Sequence, residues 1–178
     1  MRVEKYLFAL MAGLVMLFSA CQDDDSFTVS PQYTLSFSSD TIKLDTVFSR
    51  IPTATKTIWV YNRSGDGIRC SNIRLENGNQ TGFRVNVDGI FLGASTGFQT
   101  SGVEIPNKDS IRVFVELTSP NNMNETPTKL EDNLVFTLES GVQQKVNINA
   151  YTWDATILDS LHVKSDTTIS STKPIVIR

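Results

Sequence analysis

Beyond residue 30 apolar and polar side chains alternate almost strictly. In "IRVFVELT", Ile111, Val113, Val115 and Leu117 fall on one side, and Arg112, Phe114 and Glu116 on the other. "NLVFTLES" is expected to bury Leu134, Phe136 and Leu138. "FRVNVDG" alternates Phe83, Val85 and Val87 with Arg84, Asn86 and Asp88, and "KVNINA" repeats the pattern with Val146, Ile148 and Ala150. A period of two is the mark of a half-buried strand. The pattern predicts strands near 33–38, 41–48, 56–62, 67–75, 82–88, 98–104, 110–118, 133–139 and 143–151. Stretches rich in Gly, Asn, Pro, Ser or Asp separate them: "NRSGDG", "ENGNQTG", "PNKDS", "SPNNMNETP" and "ESG". The phase slips twice. Leu35 and Phe37 are odd where Ile42 and Leu44 are even, and Ile68 and Cys70 are even where Ile73 and Leu75 are odd. Each slip implies a bulge or a strand crossing between sheets. Many short antiparallel strands with frequent turns predict an all-β sandwich. Trp59 is a candidate core aromatic, although its parity is opposite to that of Ile58 and Val60.

The first twenty residues break this pattern. Arg2 and Lys5 precede an apolar run from Tyr6 to Ala20. At about fifteen residues the run is short of the ~20 that span a bilayer as a helix. A basic start, a short apolar core and small residues at its end predict a cleaved export signal over 1–20. Cys21 follows Ser19 and Ala20 directly, and "FSAC" resembles the lipobox of bacterial lipoproteins. Phe18 stands at that motif's usual leucine position, with Leu17 one place earlier. The resemblance implies that the Cys21 thiol carries a diacylglycerol (palmitate-type chains), since two or three acyl chains hold a protein far more firmly than one. Gln22, Asp23, Asp24 and Asp25 come next. They resemble the acidic export signal of Bacteroidota-type surface lipoproteins, which implies lipid anchoring in the outer membrane with the protein facing the cell exterior. The following residues to 32 are mostly polar, and a flexible tether is expected over 21–32.

Composition narrows the chemistry. The chain has a formal net charge of −3 and no basic patch, which argues against nucleic acid as a partner. Two cysteines are present, Cys21 and Cys70, so acylation of Cys21 leaves no intrachain disulfide. Cys70 lies in an alternating stretch and is expected to be a buried, inert thiol. The single histidine, His162, sits in a polar segment. No metal-ligand cluster, phosphate loop or nucleophile–base pair is visible, so no catalytic residue, metal or cofactor is expected.

The stretch "TKTIWVYNRSGDGIRCSNIRLENGNQTGFRVNVDG", then "DSIRVFVELTSP", then "DNLVFTLESGVQQKVNINAYTWDA" resembles Hydin-like immunoglobulin-type domains. More narrowly it is similar to the amino-terminal domain of Bacteroidota surface lipoproteins that continue into a right-handed parallel β-helix. The resemblance implies an immunoglobulin-like antiparallel β-sandwich over 33–154 and brings no catalytic residues with it. Residues 155–178 are then a linker and the start of a truncated β-helix domain, or a strand that closes the sandwich edge. A tripeptide of Asp, Ser or Thr, and an aliphatic residue or Thr occurs at 40–42, 45–47, 109–111, 159–161 and 166–168. It resembles the O-glycosylation motif of exported Bacteroidota proteins, with Thr41, Thr46, Ser110, Ser160 and Thr167 as candidate acceptors. The same tripeptide is also how a turn hands over to a strand.

The reading that follows is a non-enzymatic cell-surface lipoprotein module. It would act as a spacer or interaction domain, with the membrane as one partner and a surface protein or glycan as another. The alternatives are a glycan-binding or glycan-processing accessory, for which Trp59, Tyr61, Tyr151 and Trp153 are the aromatic candidates, and a fimbrial subunit processed after Arg50.

Overall fold

A computed structural model of the chain describes residues 26–121 and 126–178. Thirteen strands appear in it: β1 Leu35–Phe37, β2 Thr41–Phe48, β3 Lys56–Asn62, β4 Ile68–Leu75, β5 Phe83–Val87, β6 Ile90–Phe91, β7 Gln99–Thr100, β8 Val103–Ile105, β9 Ser110–Leu117, β10 Thr128–Leu138, β11 Gln143–Trp153, β12 Thr156–Leu158 and β13 Ile175–Ile177. One sheet has the order β1-β3-β9-β5-β6. The other has the order β2-β11-β10-β4-β7, with β8 continuing along the outer edge of β4. The two sheets enclose one core, and the arrangement is an immunoglobulin-like β-sandwich.

Both phase slips have a structural cause. Between Phe37 and Thr41 the chain leaves the first sheet, where β1 is antiparallel to β3, and joins the second, where β2 runs parallel to β11. A strand that changes sheets must turn its other face inward, so the apolar positions move from odd to even. The second slip is a bulge within β4. Thr137 faces Asn72 but Leu138 faces Cys70, leaving Ser71 extra. A further bulge in β2 places Asp45 at φ 58°, opposite the step from Asn149 to Tyr151.

The core is made of the residues that alternation selects. Val113, Phe136 and Ile148 are fully buried, as are Val60, Val85 and Leu134. Phe37 meets Phe136 with ring centroids 5.2 Å apart. Trp59 is not among them. It is on β3 between the buried Ile58 and Val60 and so projects from the outer face, which corrects its reading as a core aromatic. Strand β10 begins at Thr128, earlier than its apolar pattern, because Lys129 and Glu131 face outward there and pair with each other.

The expected flexible tether over 21–32 is docked in its later part. Ser26 O accepts from Gly67 N at 2.8 Å, Thr28 N donates to Gly67 O at 2.9 Å, and the Arg69 guanidinium stands 4.9 Å above the Phe27 ring. Gly67 is required at this crossing: a Cβ there would lie 2.6 Å from Ser26 O and 2.8 Å from Phe27 Cδ1.

The chain enters and leaves the sandwich at opposite poles. The entry pole gathers Ser26–Thr28, the β3–β4 turn and the β10–β11 turn, where Glu139 N donates to Arg69 O. At the exit pole Trp153 is paired with Phe48. There Ser49 Oγ donates to the buried Asp154 carboxylate at 2.6 Å, and Lys173 Nζ lies 3.5 Å from its other oxygen. Beyond Asp154, β12 and β13 form a separate parallel pair in which each residue faces the one nineteen places later, Thr156 with Ile175 through Leu158 with Ile177.

Candidate interaction surface

Alternation on β3, β9 and β5 sends one set of side chains outward from the first sheet, and its register brings them together. Trp59 is opposite Arg112, Thr57 is opposite Phe114, and Phe114 is in turn opposite Asn86; Arg84 is opposite Glu116. Along β3 the Trp59 and Tyr61 rings are stacked, 6.4 Å between centroids and 13° between planes. The Arg63 guanidinium lies 4.5 Å over Tyr61, and that of Arg112 lies 4.3 Å over Trp59. Cation and ring attract through the ring quadrupole. The result is a ladder of alternating charge and aromatic surface.

Next to the ladder is a shallow depression of about 190 Å³, lined by Arg84, Val85, Asn86, Phe91, Phe114 and Glu116. The Arg84 guanidinium lies 5.8 Å over the Phe91 ring, and its Nη1 is 3.7 Å from Glu116 Oε2. Glu116 Oε1 accepts from Thr55 Oγ1. Asn86 Oδ1 accepts from Gly89 N at 2.8 Å, which leaves its Nδ2 as a donor. Ile90 and Phe91 are both exposed.

The other residues singled out from the sequence are dispersed. Cys21, Gln22, Asp23, Asp24 and Asp25 lie outside the described residues. Of the candidate acceptors, Thr46, Ser160 and Thr167 are exposed, and Thr41 and Ser110 are half-buried. Asp109 Oδ1 accepts from Ser110 N at 2.7 Å where β9 begins, so this Asp-Ser pair does hand a turn over to a strand. Tyr151 and Trp153 are on β11 in the other sheet, away from Trp59 and Tyr61. Cys70 is buried, and desolvation pushes its thiol up to about 12. His162 is exposed. Arg50 is in the turn after β2 at φ 65°, its N–H bonded to Ser119 O. Cleavage after it would strip β1 and β2, and with them Leu35, Ile42 and Leu44, from the core. A second depression, about 380 Å³, lies beside that turn and is lined by Leu44, Val47, Phe48, Ile51 and Pro52 among others. Among the described residues no three His, Cys, Asp or Glu side chains are grouped to hold a metal.

The ladder has no signature in the sequence. Alternation places Arg112 and Phe114 opposite the core, but which residues of β3 they meet depends on strand order and register, which no local pattern carries.

No family model matches the chain, and no curated protein matches it. Among solved structures it is loosely similar to a protein of unknown function from Porphyromonas gingivalis W83, at 16% identity and a TM-score of 0.44 over 75% of this chain and 61% of that one. The chain therefore spans about three fifths of that protein's length. The CooA pilin subunit of enterotoxigenic Escherichia coli gives 14% identity and a TM-score of 0.43, over 67% of this chain and 97% of the pilin. A PapD-like domain of human CEP192 gives 8% and 0.40, over 77% and 96%.

Proposed function

We propose that the chain is a non-enzymatic, lipid-anchored surface module that acts as a spacer and interaction domain. It would be held in the outer membrane through Cys21, with Gln22, Asp23, Asp24 and Asp25 directing it to the cell exterior. The observation that carries the reading is the placement of the two chain ends of the sandwich. The polypeptide arrives at one pole beside the β3–β4 turn and departs from the other at Asp154. A domain threaded in this way sets whatever follows it one domain length from whatever precedes it. Strand β11, eleven residues long, spans that length, roughly 35 Å at ~3.3 Å per residue.

The segment 155–178 fits the same reading as the first coil of a parallel β-helix. Successive coils of such a helix pair in parallel at a constant offset, which is the relation of β12 to β13. Lys173 of this segment pairs with Asp154 at the exit pole of the sandwich.

An epitope placed after Arg178 tests the module. On intact cells it should bind antibody. Cys21→Ser should lose the epitope from the membrane fraction, and replacement of Asp23, Asp24 and Asp25 by Ala should keep it membrane-bound but shielded from antibody. Membrane retention of the Cys21→Ser form would overturn the anchor. Equal antibody access to the Ala form would overturn the export role.

A further inference from the structure

We propose that the outer face of the first sheet binds an acidic glycan, a polymer bearing uronate or sulfate groups, along a track from Arg63 to Phe91. The proposal deepens the interaction-domain reading and does not depend on the lipid anchor.

Arg63 and Arg112 make no ion pair among the described residues; each lies against an aromatic ring. A guanidinium held over a ring by cation–π attraction still has N–H groups to donate, and its planar fork matches a carboxylate or sulfate. The outward side chains of β3, β9 and β5, with the flanking Arg63 and Asp88, carry three arginines (Arg63, Arg84 and Arg112) against Glu116 and Asp88. The face is thus locally cationic on a chain of formal net charge −3.

The depression beside the ladder fits a sugar. A sugar ring offers an apolar C–H face and a rim of hydroxyls. Phe91 and Phe114 supply aromatic surface, the Asn86 amide supplies a donor, and Glu116 an acceptor. Its volume of about 190 Å³ is below the ~300 Å³ at which drug-sized pockets begin. It suits one ring, so affinity must be gathered over several units. From β3 to β6 the sheet offers three strand spacings, roughly 14 Å, enough for a few units of a chain laid across it. An acidic peptide would use the arginines but has no need of a ring-sized recess. A peptide added as a strand would occupy a sheet edge instead of this face.

The test is affinity electrophoresis of the full chain in mild detergent, through gels holding polygalacturonate, chondroitin sulfate or neutral dextran. Retardation is expected by at least one acidic polymer and not by dextran. The Arg63→Gln/Arg112→Gln variant should bind about tenfold more weakly, as loss of charge-assisted contacts predicts, while Tyr151→Ala on the opposite sheet should bind as the parent does. In a Trp153→Phe background Trp59 is the sole tryptophan, and its emission should change as the polymer binds. No retardation by either acidic polymer, or unchanged retardation of the double variant, would overturn the proposal. So would equal competition by poly-glutamate, which would assign the face to acidic peptides. None of these results alters the antibody-access experiment, so the two readings fail separately.

Discussion

Asn62 shows how much one side chain can hold. It ends β3 with no exposed surface, and its Nδ2 donates to Asp66 O at 2.7 Å and to Ile105 O at 2.8 Å. Its Oδ1 accepts from the N–H and hydroxyl of Ser64. All four capacities of the amide are met, and two of its partners are backbone carbonyls. Asn62→Ala would remove the amide donor from the buried Ile105 carbonyl, while Asp66 O keeps the Ser64 hydroxyl at 3.1 Å, and a buried unpaired group costs ~1–3 kcal/mol. Urea denaturation should record a loss of about 2–3 kcal/mol with an unchanged slope. A loss below about 0.5 kcal/mol would mean that the turn is held by other contacts. Cys70 gives a pH signature. Burial raises its pKa from near 9 to about 12, so the unfolded chain loses that proton first. The stabilising contribution is present in full below pH 9 and disappears as pH rises toward 12. Stability of the parent should therefore fall more steeply across that window than stability of Cys70→Ala. Parallel curves would place the thiol in contact with solvent.

At the scale of elements, strands β2, β3, β4, β5, β9 and β11 were legible because each pairs an apolar row with a polar one. Both phase slips were legible as well, since a change in parity has few causes. What alternation could not give was the choice between them: crossing at Ser38–Asp40, bulge at Ser71. That choice depends on which strands are neighbours. The early part of β10 was hidden because Lys129, Glu131 and Asp132 read as loop. Asp132 is in fact buried, taking the N–H groups of Asn77 and Asn133 and the hydroxyl of Thr81. The docking of Ser26–Thr28 was hidden for the same kind of reason. A lone Phe27 in a polar stretch has no period, and its partner is the backbone of Gly67, forty residues away. That contact gives a sharp expectation. Gly67→Ala would place a methyl where Ser26 O and Phe27 now lie, so the segment should detach. Hydrogen exchange at the Thr28 amide should accelerate to the rate of an open chain while β9 and β11 stay protected. Continued protection of Thr28 would mean that the segment shifts and redocks.

For the whole molecule, the docked segment would shorten the proposed lipid tether. With Ser26 bonded to the β3–β4 turn, only the few residues from Cys21 to Ser26 would separate a lipid on Cys21 from the sandwich. Fully extended they reach about 17 Å, against ~40 Å for a leash that is free to the first strand. The entry pole, with Arg63 and Arg69, would then stay near the membrane, and the exit pole would project away from it. The aromatic–arginine face lies along the side of the module, open to chains laid across its strands. The arrangement requires that the poles be far apart in solution. Val29 is exposed beside the docked segment, and Ala54 is exposed in the loop between β2 and β3 at the exit pole. In a Cys21→Ser background the inert Cys70 should escape labelling, so spin labels at Val29→Cys and Ala54→Cys should report a single narrow distance of roughly 30–40 Å, the length of the long strands. A broad distribution would show the segment swinging free of Gly67. A mean near 20 Å would place both chain ends at one pole, and a module so threaded could not act as a spacer.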